Sequence, residues 1–144
     1  MTTAHHLRLI DGMRARDFPS ERTPAGSGVS GPGYHRAFLH TDEHWGSGGT
    51  ERLEHRAQCV AEHDALLTLL TLRWGEPELV SLWSAQARMA AGEEIAEPWA
   101  DPVASCEYLQ LWRIEERWIA LGLHQQDSGP GCELSVLVTV VDPP

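Results

Sequence analysis

The sequence predicts an α/β fold of the α+β type, with a small, mostly antiparallel sheet packed by one long and one shorter helix. Three observations carry this. A long run with helical spacing is bounded by a start and a stop signal. Three strand-like runs fill the C-terminal third and are joined by short links. The chain, at 144 residues, is long enough to bury a core without staples.

The elements follow in order. Residues 1–33 differ from the rest, because "FPSERTPAGSGVSGPG" is rich in Pro, Gly and Ser and buries little apolar area. This stretch is expected to be a flexible arm, with "HHLRLIDGMRAR" able to form a short helical turn that docks on the body. Residues 34–144 are expected to form one globular unit. "YHRAFLHT" fits a helix, with Tyr34, Phe38, Thr41 and Trp45 on one face, and alternates well enough to fit a strand. After "GSGG", Thr50 is placed to cap a helix and Glu51 suits its positive end. Leu53, Ala57, Val60, Leu67, Leu70 and Trp74 then recur at helical spacing, with Asp64 inside the stripe. Gly75 and Pro77 end the run, giving a helix over about 50–74.

"ELVSLW" reads as a short strand and "SAQARMAAG" as a second helix over about 84–91, with Ser84 as its cap and Gly92 as its stop. "EEIAEPWADP" reads as a proline-interrupted loop. "EYLQLWRI", "RWIALGLHQ" and "ELSVLVTVV" are three strands, and their short links make them an antiparallel meander. In the first hairpin, Tyr108, Trp112, Ile114, Ile119, Leu121 and Leu123 share one face. Leu109, Leu111, Trp118 and Ala120 share the other, so both faces need cover.

Charge bounds the function. The formal net charge is −10. Residues 1–33 carry +1, residues 34–74 carry −2 and residues 75–144 carry −9. An acidic surface repels phosphate backbones and steers basic proteins, so a basic protein partner is expected and nucleic acid is not. All 11 basic residues are arginine. No run of about 18 apolar residues suggests a membrane span. Cys59, Cys106 and Cys132 are odd in number and widely spaced, without C-x-x-C. Reduced thiols in a cytoplasmic protein are the expectation. An exposed sheet edge would also permit a homo-oligomer.

Two patterns bear on metals. "HTDEH" at 40–44 has the H-x-x-E-H order, and it resembles the inverted zinc peptidases over these five residues. That resemblance implies His40 and His44 as zinc ligands and Glu43 as the group activating water. It also implies a downstream glutamate as third ligand, for which Glu107, Glu115 and Glu116 are available. The chemistry needs a helix, because on a strand the two histidines stand roughly 13 Å apart. Five solvated residues at an element end are the commoner source of such a match. His55, Cys59 and His63 step by four along the long helix and are chemically apt zinc ligands. A buried thiol and a core-flanking histidine are the plainer reading.

No G-x-S-x-G, phosphate loop or G-x-G-x-x-G occurs. The sequence therefore points first to a non-enzymatic acidic binding module without cofactor. It is similar to bacterial immunity proteins in size, charge and lack of catalytic motif. Its expected contacts are Glu93, Glu94, Glu97 and Trp99 in the acidic loop, with Glu115 and Glu116 in the hairpin turn. The alternative is a zinc-dependent hydrolase or metal-binding protein using either histidine set.

Overall fold

A computed structural model describes residues 2–40, 49–125 and 132–144, with side chains over 3–39, 54–124 and 132–144. The chain runs α1 (Thr2–Ala15), β1 (Thr23–Ala25), β2 (Gly28–Gly31), β3 (Tyr34–His40), α2 (Gly49–Trp74), β4 (Glu78–Ser81), α3 (Trp83–Ala90), α4 (Ala100–Ser105), β5 (Tyr108–Ile114), β6 (Arg117–Gln125) and β7 (Cys132–Thr139). Seven strands form one antiparallel sheet in the order β1-β2-β3-β7-β6-β5-β4. The α+β class, both main helices and the C-terminal meander agree with the sequence.

Each face of the sheet carries its own core. On one, Ile10 and Met13 of α1 and Cys59, Leu66 and Leu70 of α2 pack on Trp112, Ile119, Leu121, Leu134, Val136 and Val138. On the other, Leu82, Ala85, Ile95, Trp99 and Val103 cover Tyr34, Leu109, Leu111, Ala120 and Leu137. The hairpin faces read from alternation are therefore the observed ones. Apolar side chains on both sides of β7 follow from helical cover on both sides.

Three expectations change, and the open choice between helix and strand at Tyr34 is decided. Residues 1–33 do not hang free as an arm. They supply α1, whose Ile10 is fully buried, and two strands of the sheet. The glycines that suggested disorder make turns instead: Gly26 and Gly33 have φ of +57° and +81°, which side chains rarely adopt. Tyr34–His40 is a strand, paired through its length with β7. The buried face of α2 centres on Cys59, Glu62, His63, Leu66 and Leu70, while Ala57 and Asp64 are exposed. That is about a quarter-turn from the stripe expected, at ~100° per residue. A polar pair on the buried face hid it. Finally, α4 occupies part of the presumed loop. Pro102 lies in its first turn, where no intrahelical N–H is needed.

Caps set the elements around β4. The Gly75 N–H donates to the Thr71 carbonyl at 2.8 Å with φ at +89°, closing α2 as expected. The Trp112 Nε1–H then donates to the Gly75 carbonyl at 2.9 Å, fixing the exit towards β4. At α3 the N-cap is Leu82 without a side-chain cap, not Ser84, and the Ser81 hydroxyl before it accepts from the Trp83 N–H at 3.4 Å.

Candidate functional site

Helix α2 crosses β7 and β6 but leaves β5 and β4 partly bare on the same face. A cavity of about 250 Å³ opens there, lined by Arg56, His63, Ser105, Glu107, Tyr108, Gln110 and Leu123. His63 is only 7% exposed. Its Nδ1 lies 3.1 Å from Asp64 Oδ1 and its Nε2 lies 3.3 Å from Gln110 Oε1. Both ring nitrogens are within hydrogen-bond reach of a side-chain oxygen, with donor and acceptor roles that depend on the tautomer.

Tyr108 and Gln110 of β5 line this cleft, and β4 lies next to them. Among the described residues β4 pairs with β5 alone and is the last strand of the sheet. Leu79 lies opposite Gln110, and Ser81 opposite Tyr108, so all four side chains share the α2-side face. Trp83 follows immediately. Leu79 is 64% exposed, Trp83 76% and Tyr108 52%. Leu79 and Tyr108 are diagonal neighbours across the β4–β5 pair, and exposed apolar side chains so placed are candidates for a contact surface. Glu76 and Glu78 precede Leu79 in the chain, Glu78 on the other face of the sheet and paired with Leu111, and Glu107 precedes Tyr108; none has an ion-pair partner among the described residues.

The carboxylates expected from the sequence are differently placed. Glu93 pairs with Arg88 at 2.9 Å, Glu97 with Arg22 at 3.4 Å and Glu115 with Arg14 at 3.6 Å. Glu94 and Glu116 are exposed. The turn at Glu115–Glu116 lies at the far end of β5 from Tyr108, about 20 Å along the strand. Trp99 is 1% exposed, and its Nε1–H donates to the Val141 carbonyl at 3.0 Å. It is a core residue and reaches no partner.

The metal sets fare as follows. His40 closes strand β3, while Glu43 and His44 lie outside the described residues. Cys59 is bonded to Cys132 in a disulfide that ties α2 to β7, with Cα atoms 6.2 Å apart. A cysteine so bonded supplies no thiolate to His55 and His63, which removes that zinc set. The bridge also corrects the expectation of reduced thiols. Its partners are 73 residues apart, and only the fold brings them together. Cys106 remains free and buried, and burial pushes its thiol above the usual range. Among the described residues no three His, Cys, Asp or Glu side chains gather to hold a metal.

The sequence offered one signal for the surface it missed. "PELVSLW" is short, follows a proline and carries a charge, which is the signature of an edge strand. Trp83 and Leu79 look like core residues until β4 is known to be the last strand. No family model, no curated protein and no solved structure matches the chain. No helix among the described residues is long and apolar enough to cross a membrane.

Proposed function

We propose that the chain is a non-enzymatic acidic binding module that docks a basic protein on the β4 edge and the cleft beside it. One observation carries this reading. Leu79 and Tyr108 on adjacent strands, and Trp83 just beyond β4, are exposed, and Glu76, Glu78 and Glu107 near them in the chain make no ion pair among the described residues. Aromatic anchors supply affinity once desolvated, and unpaired rim charges set encounter rate and partner choice. Glu93 and Glu97 are weaker candidates, since a partner would have to displace Arg88 and Arg22 first.

In general character the module is like the immunity proteins that block basic toxic enzymes, and a basic enzyme is the kind of partner the charge favours. Cytoplasmic residence would require the Cys59–Cys132 bridge to form despite reducing surroundings, where such bridges are rare.

The test is affinity capture from the native cell, with salt elution and mass spectrometry, using three baits. The native chain is expected to capture one dominant basic protein. Reversing Glu76, Glu78 and Glu107 to lysine should abolish that capture. Reversing Glu93, Glu94 and Glu97 should leave most of it. The opposite order would return the site to the acidic loop.

A further inference from the structure

At the other end of the sheet lies a groove of opposite sign. Arg8, Gly12 and Arg16 form a row at four-residue steps along α1 and its last turn. With the turn between β1 and β2 they border a cavity of about 170 Å³. The turn has two central residues, Gly26 and Ser27, because Ala25 pairs with Gly28. In such a turn the central N–H groups stay outside the ladder. Gly12 leaves the floor open, since nothing lies within 4 Å of where its Cβ would stand.

Three arginines line this groove, and Arg8 and Arg16 differ from the third, Arg36, and from several others in the chain. Arg14, Arg22, Arg36, Arg73, Arg88 and Arg113 each hold a carboxylate. Arg117 donates to the Met13 and Arg16 carbonyls at 3.0 Å each. Arg8 and Arg16 make no side-chain ion pair or hydrogen bond among the described residues, and no carboxylate lines the cavity. In a chain of net charge −10, two unpaired guanidinium groups beside one cavity are unexpected unless an anion joins them.

We propose that this groove binds a small phosphate-type oxyanion, a phosphate monoester or a diphosphate, between the Arg8 and Arg16 guanidinium groups and the Gly26–Ser27 turn. Guanidinium groups match such oxygens in bidentate geometry, and turn N–H groups with the Ser27 hydroxyl complete a donor set. The cavity is below the range of drug-sized pockets, which fits an anion of a few heavy atoms. The site is separate from the β4 cleft and does not depend on what docks there.

The test is titration of the intact, ¹⁵N-labelled chain with inorganic phosphate and with pyrophosphate at constant ionic strength. Saturable shifts are expected at Gly12, Gly26 and Ser27, with pyrophosphate the tighter ligand and Kd near or below about 1 mM. Arg8→Ala and Arg16→Ala should each weaken binding about tenfold. Both side chains are exposed and unpaired, so the thermal midpoint should hold. Arg113→Ala, on a guanidinium away from the groove, should bind as the native chain does. The proposal is overturned if no shift saturates at these amides, or if Arg8→Ala and Arg16→Ala bind pyrophosphate unchanged.

Discussion

At one end of the sheet β1 is three residues long, contains Pro24 and presents no large exposed apolar side chain. At the other end β4 is four residues long, contains no proline and presents Leu79 with Trp83 just beyond it. Both strands expose a free hydrogen-bonding edge, which is a liability that proteins usually blunt. The β1 end is blunted by its shortness and its proline, and unpaired arginines lie near it. The β4 end is guarded only by carboxylates. The same sheet therefore ends in a closed basic edge and an open acidic one, and the open one is suited to protein contact.

The largest expected effect comes from cutting what both ends share. Cys59–Cys132 fastens α2 to β7, the middle strand of the sheet. Replacing both cysteines with serine should lower stability by about 2–4 kcal/mol, read from urea unfolding with matched slopes. If the two ends are independent bodies, exchange protection would fall at one end only.

Next in size is the anchor at the open end. Trp83→Ala should weaken the captured basic partner by about thirtyfold, near the ~2 kcal/mol of an interface hot spot. Pro24→Ala at the closed end should leave affinity unchanged. An equal loss from both would erase the distinction between the edges.

A smaller effect separates the ends by pH. His35 is buried at the β2–β3 junction, joined to Ser30 Oγ at 2.6 Å and to the Arg16 carbonyl at 3.3 Å. Burial holds its imidazole below the ordinary value of 6.5. The unfolded chain then takes up the proton first, so stability is retained above that value and lost as pH falls through and below it. Amide protection in β2 and β3 should drop on acidification, and His35→Gln should flatten the response. A drop confined to β4 and β5 would contradict this.

The smallest effect is at the β5–β6 turn, where Glu115 and Glu116 have φ of +52° and +70°. Asn–Gly suits that geometry better. The double replacement should raise stability by about 1 kcal/mol in thermal unfolding without altering partner capture. Loss of capture would return this turn to the binding surface.

Much of the fold was legible because its signals are local. Gly75 and Pro77 end α2, Gly92 ends α3, and alternation in 108–123 names the right faces. What was hidden depends on distant pairing. Composition alone made 1–33 look disordered, because β1 and β2 join the sheet through β3, whose other partner, β7, lies about a hundred residues away. The disulfide was hidden for the same reason. Trp99 looked like an anchor because it sits among carboxylates, yet its indole is spent on the Val141 carbonyl. Trp83 looked like core because nothing local says that β4 is the last strand.

We propose that the β4 edge docks a basic protein. The most direct measurement places a photo-crosslinking amino acid at Ser84, beside Trp83, or at Thr23 on the β1 edge, and irradiates each in the native cell. One basic protein is expected to be joined at position 84, absent at position 23 and lost with Trp83→Ala. Equal crosslinking at both positions, or a second copy of this chain as the sole adduct at 84, would contradict it.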